Sequence, residues 1–557
     1  MANRSAWAHP HRHREHHHAP APYTHGPSIA RSKLKQEKFL RFSIPRVDVS
    51  EIRLSVPKDP SPAPPAPAEA HGCSAIAHSC GAPLALSSDE SAWEAVNAKL
   101  AKAKSLFDAI PPKEFNTHMY ALDLFAGLKR IMREQYGMFI STNASLKMSE
   151  IIVRMGLFPR DKEPQDVKAF CNAELPGAFI VAINHYLHTR YRQAQKSFDW
   201  VACSYYPEVG SDALGDDYGL YRGNREHWLM GPRPNALPEG MPCISGDVTD
   251  PDVLEAVELA VKARFGGEGA TLYTSDVGTG VAEDFNRQEE LTSALNLGQV
   301  LSGLMTLRTG GCLVTKQYTF CTPFSRSLIA IVAAHFDSLH VVKPQTSRPA
   351  NSEVYIVGTG YRGIEPAVRD RLLLCVRRCR ESHLHPSDLG SLITTIPEEI
   401  DRALLRAAQE IHGEQQVAFV KEAIQLYEKY QHRSRMLLRE LAPLADRLQK
   451  DWLERNEPDF INPLDQLATL RDDDIGRTGW GREEISAGEA TAMLVVRSEG
   501  KRESGQMEGD GGGEKARGCE REGDGHERRG ELENTGDVPD LKKTKDQEIE
   551  EGEIEVA

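Results

Sequence analysis

Between about residue 112 and residue 365 the chain alternates strand-like and helix-like segments, which predicts an α/β fold: a sheet covered by helices. Two observations carry this. Seven short apolar runs recur through the region, and the segments between them open on helix-start signals. The strand candidates are 169–174, 200–206, 241–247, 271–276, 312–318, 339–343 and 353–359. Asp250 and Pro251 combine an N-cap with a proline at the first helical position, where a missing N–H costs nothing, and Val253, Val257 and Val261 then recur on one face. Thr322 and Pro323 repeat the device before 328–336. In 178–191, Phe179, Ile183 and Leu187 share a face suited to packing directly on the sheet. Short turns ahead of these helices leave room for a ligand at the C-terminal ends of the strands. From 366 to 480 the pattern turns helical, predicting a helical extension.

The ends read differently. Residues 1–47 carry nine Lys/Arg against two Asp/Glu, with seven histidines between His9 and His25. Residues 501–557 carry ten Lys/Arg against eighteen Asp/Glu, so −8 of the formal net charge of −14 falls there. Neither stretch has the period or the apolar content to offset its ordering entropy, so 1–90, with its proline-rich run, and 485–557 are expected to be disordered. An acidic total does not exclude an RNA substrate, because a local basic surface suffices to hold phosphates.

Ten cysteines are scattered singly, unlike a secreted disulfide scaffold, which points to a reducing, intracellular setting, nucleus or cytoplasm. Cys73 and Cys80 follow His71 and His78 by two residues, but their flanks lack a zinc-finger pattern, so they read as free thiols in a linker and no metal is expected. The apolar run LIAIVAA from Leu328 is far short of the roughly 18 residues a membrane span needs, and the N-terminus has no apolar signal core. Neither secretion nor membrane insertion is expected.

Four places could carry chemistry. In AELPGAF (173–179), Gly177 permits close backbone approach and a helix N-terminus with free N–H groups follows, although a Pro-Gly at a strand end is more often an ordinary turn. Asp247 ends a strand candidate, and with Asp250 serving as the helix cap it is freer for a ligand. Asp276 ends the next strand before glycines, and Lys316 lies within the apolar strand after it. A lysine there is costly unless it is paired or functional. Parallel neighbouring strands would hold both over one crevice.

The run from Lys147 in NASLKMSEII, through ELPGAFIVAINHYL and GGCLVTKQY, to KPQTSRPANSEVYIV resembles the RrmJ/FtsJ-type methyltransferases, and within them the Adrift-type cap-specific mRNA (nucleoside-2′-O)-methyltransferases. The likeness runs from near 112 to near 365. It implies the class I S-adenosylmethionine-dependent methyltransferase fold, a Rossmann-like seven-stranded sheet with only the last strand antiparallel. It implies a catalytic tetrad of Lys147, Asp276, Lys316 and Glu353, and cofactor contacts at Glu174, Pro176, Gly177, Ala178, Phe179, Trp200 and Asp247. The implied cofactor is S-adenosyl-L-methionine and the implied partner is capped mRNA, with other capping or transcription proteins recruited through the charged tails.

A ribose 2′-OH is a poor nucleophile, and a base must accept its proton as the methyl arrives. Lys316 suits that task if Lys147 and desolvation lower its pKa, with Asp276 and Glu353 orienting the groups while pushing the pKa back up. The family's APGGF reads LPGAF here. Between the second and third strand candidates a long insertion offers Tyr218, Tyr221, Arg222, Arg225 and Trp228 either as a wall for the RNA or as packing for itself. Two other functions stay open: 2′-O-methylation of rRNA or tRNA, and a catalytically silent RNA-binding scaffold, which the presence of all four tetrad residues argues against.

Overall fold

The computed structural model describes residues 39–55, 90–158, 166–191, 198–206, 216–230, 244–278, 286–431 and 433–467. Its elements in order are β1 (Leu40–Ile44), α1 (Glu90–Lys104), α2 (Pro112–Ala121), α3 (Ala126–Tyr136), α4 (Asn143–Met155), β2 (Val167–Asn172), α5 (Ala178–Arg190), β3 (Phe198–Cys203), α6 (Leu220–Gly223), α7 (Pro251–Arg264), β4 (Ala270–Ser275), α8 (Gln288–Leu291), α9 (Ser293–Thr306), β5 (Leu307–Gln317), α10 (Pro323–Ala334), β6 (Phe336–Lys343), β7 (Val354–Tyr361), α11 (Pro366–Ser382), α12 (Glu398–Ala408), a π-helical segment (Gln409–Gln416), α13 (Val417–Tyr430) and α14 (Ser434–Asn456).

The sheet has seven strands in the order β1-β6-β7-β5-β4-β2-β3. Strands β3, β2, β4 and β5 are mutually parallel, and β7 runs antiparallel to both β5 and β6. Six strand candidates therefore stand within a few residues of their expected bounds, with the last antiparallel as expected. The strands are apolar almost throughout, as befits a sheet covered on both faces. The caps behave as their chemistry requires: Asp250 accepts from the Asp252 amide at 2.9 Å ahead of α7, and Thr322 from the Ser325 amide at 3.2 Å ahead of α10.

The seventh strand is not the expected one. Within 241–247, only 244–247 is described, and there Ile244 makes a single parallel bridge to Met230. The chain cannot stay extended because Gly246 turns at φ +74°, pressed so closely on Ser204 that a Cβ would stand 1.9 Å from its carbonyl oxygen. Asp247 then closes a turn on Thr249. The vacant place is filled at the opposite edge by β1, antiparallel to β6, which adds a second antiparallel strand to the one expected. This corrects the reading of 1–90 as disordered throughout, since Leu40 and Ile44 are buried and Arg154 lies 5.6 Å from the Phe39 ring. The histidines of the N-terminus, Cys73, Cys80 and the acidic tail lie outside the described residues. The six cysteines among the described residues are free, and no helix of them is long and apolar enough to cross a membrane.

The helical extension is bolted to the sheet domain by a buried charge. Arg326 on α10, 1% exposed, pairs with Glu90 of α1 at 2.8 Å and Asp401 of α12 at 3.0 Å and lies over Trp93. A buried guanidinium is tolerable only when its charge is matched, and here two carboxylates from different helices match it.

Candidate active site

The C-terminal ends of β2, β3 and β4 open side by side. The Glu174 carboxylate turns back to accept the amides of Phe179 at 2.8 Å and Ile180 at 3.0 Å, capping α5, while its own amide donates to Ser204 Oγ at 2.7 Å. Burial pushes the Glu174 carboxyl up to about 8, with the Asp276 charge adding to the effect and the two amides opposing it. Gly177 has φ +106°, and a Cβ on it would stand 2.0 Å from Leu220 Cδ2, so glycine is required there by backbone and by packing alike.

The four charged residues expected to work together are brought together. Lys147 arrives on α4, whose start is fixed by the reciprocal capping of Thr142 and Ser145. Its Nζ donates to both Glu353 oxygens, at 2.8 and 3.0 Å. The register pairs Ser275 with Thr315, and one step further Asp276 meets Lys316, with Oδ1 3.3 Å from Nζ. Burial alone would raise the Glu353 carboxyl, but Lys147, Lys343 and Lys316 together hold it well below the usual carboxylate range.

Tyr355 joins the two pairs, and sequence reasoning missed it. It lies directly across from Lys316 in the β5–β7 register, so both side chains share a face. Its hydroxyl donates to Asp276 at 2.8 Å, and its ring centroid lies 5.8 Å from Lys147 Nζ. The available signal was its two-residue spacing from Glu353, which in an extended chain returns to the same face. Ser347, donating to Glu353 at 2.7 Å, carried no such signal. Gly278 was passed over as well: a Cβ there would stand 3.0 Å from both Lys316 Nζ and Tyr318 Oη, so its missing side chain keeps the approach to Lys316 open.

Residues 140–361 match the FtsJ-like methyltransferase family. The chain is 36% identical over 337 residues, covering 60% of itself and 75% of the relative, to Probable methyltransferase EP424R of African swine fever virus (isolate Pig/Kenya/KEN-50/1950). The chain belongs to the FtsJ-like methyltransferase family. This FtsJ-like methyltransferase is also 26% identical over 280 residues to Cap-specific mRNA (nucleoside-2'-O-)-methyltransferase 2 of Drosophila melanogaster, covering 49% of the chain and 38% of that relative. With the Mus musculus protein of the same name the identity is 30% over 230 residues, 41% of the chain and 28% of the relative.

An FtsJ-like methyltransferase needs a methyl donor, and the residues expected to hold it are not all at the crevice. Glu174, Pro176, Gly177 and Ala178 stand at the β2–α5 turn, but the Phe179 ring points into the core, 6.2 Å from that of Tyr355. Trp200 is paired with Ala169, three residues short of the end of β3, and is stacked on His227 at 4.3 Å and edge-on to Trp228. Its surroundings are those of a core ring. Asp247 is not left free by the cap at Asp250: Thr249 and Arg380 of α11, the latter at 2.9 Å, occupy its carboxylate. Against the buried cost of the charge, they keep it ionised below its ordinary range. In the insertion, Tyr221 and Trp228 are buried against each other, Arg222 is held by Asp216 and Arg225 lies over Tyr221. Among the described residues 216–230, Tyr221 and Trp228 therefore follow the second of the two readings, packing, with Trp228 also edge-on to Trp200.

Proposed function

We propose that this protein transfers a methyl group from S-adenosyl-L-methionine to the ribose 2′-OH of a nucleotide near the 5′ end of capped mRNA. The observation that supports it best is the convergence of Lys147, Asp276, Lys316 and Glu353, drawn from four separate elements, into two ion pairs joined by Tyr355. The kinship with cap-specific 2′-O-methyltransferases supports the choice of RNA.

The donor set suits such a cofactor. Asp276 is partly exposed at the end of β4, Tyr205 just beyond β3 is 62% exposed, and the β2–α5 turn brings backbone polar groups to the same opening. When bound, S-adenosyl-L-methionine supplies a methyl group already activated by its cationic sulfur. The protein's part is to align the hydroxyl and remove its proton. Lys316 Nζ, as the neutral amine, takes the proton of the 2′-OH as the methyl arrives and becomes the ammonium. Asp276, fixed by the Tyr355 hydroxyl, holds the Lys316 ammonium in direction, and Gly278 leaves the hydroxyl room to reach it. Lys147 and Glu353 neutralise each other beneath and hold the cluster's net charge near zero.

The test is transfer of labelled methyl from S-adenosyl-L-methionine to RNAs bearing cap 0, cap 1 and no cap, with Lys316→Ala as the control. Capped RNA is expected to be labelled and uncapped RNA not. Equal labelling of the uncapped RNA would overturn the cap assignment, and an unimpaired variant would overturn the role given to Lys316.

A further inference from the structure

The turn that carries Glu353 is gripped from two sides, and one grip comes from outside the sheet domain. On the inner side Lys343, the last residue of β6, donates to the carbonyl oxygens of Asn351 at 2.6 Å and Glu353 at 2.8 Å. On the outer side stands Gln416, which ends the π-helical segment between α12 and α13. Its Nε2 donates to the Ala350 carbonyl at 2.6 Å and to Ser352 Oγ at 3.0 Å. The side chains of two distant elements thereby satisfy the carbonyls of Ala350, Asn351 and Glu353, which the sheet ladder does not reach.

Gln416 is itself oriented. His412, one turn earlier, sits 3.0 Å through Nδ1 from Gln416 Oε1. Burial pushes the His412 imidazole down to about 3, so it is neutral, and a neutral ring facing an amide oxygen through Nδ1 carries its proton there. Gln416 Oε1 faces His412 Nδ1 and, at 3.3 Å, the Ser352 hydroxyl, while its amide nitrogen points at the turn. A π-helical stretch is uncommon inside an α-helix and tends to mark a functional position. This one ends at the residue that reaches the catalytic turn.

We propose that Gln416 is a positioning residue for Glu353, which makes the helical extension a working part of the active site. The proposal rests on the tetrad being the methyl-transfer machinery described above. Gln416 acts on the backbone of 350–352, that backbone sets where the Glu353 carboxylate lies, and the carboxylate in turn fixes Lys147.

Gln416→Met keeps the volume and removes the donor and acceptor. Per folded molecule, its kcat on capped RNA is expected to fall about tenfold, with the affinity for S-adenosyl-L-methionine and the KM for RNA unchanged. Placed in a Glu353→Gln background, the same substitution is expected to have no further effect, because it acts through the Glu353 carboxylate. Ser352→Ala, the gentler change, is expected to lower kcat about two- to threefold in the same sense. Amide hydrogen exchange across 350–356 reads the grip without any catalysis, and it is expected to be faster in Gln416→Met than in the wild type. A wild-type kcat in Gln416→Met, an equal loss in both backgrounds or unchanged exchange would each overturn the proposal. A wild type inactive on every RNA would instead remove the proposed function, and the exchange comparison would still decide whether Gln416 holds the turn.

Discussion

The two ion pairs of the site differ in ways that divide the labour between them. Lys147 and Glu353 meet through both carboxylate oxygens at 2.8 and 3.0 Å, with side chains 10% and 5% exposed. Lys316 and Asp276 meet at 3.3 Å, with side chains 10% and 18% exposed, so the difference in exposure lies in the carboxylate. The inner pair is also tied into its surroundings, Glu353 by Ser347 and α4 through Glu150, which accepts the amides of Gln345 at 2.9 Å and Thr346 at 3.1 Å. A short, doubly bonded and buried pair resists exchange of partners. A longer one, with the more exposed carboxylate, lets its lysine turn to a substrate. Under the proposed function the inner pair is scaffold and the outer one meets the chemistry.

The largest break in this comparison is expected at Lys316. Lys316→Ala should lower the methyl-transfer rate by about a thousandfold, within the range that general-base removal produces. Next comes the stability contrast: Lys147→Met leaves Glu353 buried without its main counter-charge and is expected to cost about 3 kcal/mol. Lys316→Met is expected to cost half as much, roughly 1.5 kcal/mol, because Asp276 is the more exposed carboxylate and keeps the Tyr355 hydroxyl. Thermal unfolding of the two variants side by side checks both figures. A smaller effect is expected from Gly278→Ala, whose added methyl crowds Lys316 and Tyr318 from 3.0 Å and should cut kcat/KM about tenfold while leaving the inner pair and the melting temperature alone.

The finest effect lies in a third carboxylate. Glu353 is kept ionised by lysines, whereas Glu174 faces burial with only two amides in its favour, and its pKa rises from 4.5 to about 8. The folded chain therefore keeps a proton on Glu174 through a window in which the unfolded chain has released it. Its contribution to stability is complete below about pH 4.5 and is lost as the pH rises to about 8. Glu174→Gln, a permanent mimic of the protonated form, should lose less stability than the wild type between pH 6 and pH 8.5, as melting temperatures across that range would show.

How far the sequence carried the site depended on whether residues declare themselves locally. The strands, the two proline-led helix starts and Lys316 stood out because a charge within an apolar run, or a cap before a periodic segment, is a short-range signal, whereas the tetrad as a set came from the resemblance. β1 was hidden because its alternating Leu40, Phe42 and Ile44 sit in a basic, histidine-rich flank, and its partner β6 lies some three hundred residues away. Tyr221 and Trp228 stayed open between two readings because an aromatic ring reads the same in a string of letters whether it awaits a base or another ring. The Arg380 contact to Asp247 was not legible because it comes from α11. Tyr355 and Gln416 escaped because what they do depends on a neighbouring strand or a distant helix.

The division between the pairs is most directly tested by chemical rescue. Lys316→Ala and Lys147→Ala, both expected to be inactive, would be assayed for methyl transfer to capped RNA with increasing methylamine. Rate restored in Lys316→Ala alone is the predicted result, since a small amine can occupy the open position and take the proton but cannot rebuild a buried scaffold. Equal rescue of both variants, or rescue of Lys147→Ala alone, would contradict it.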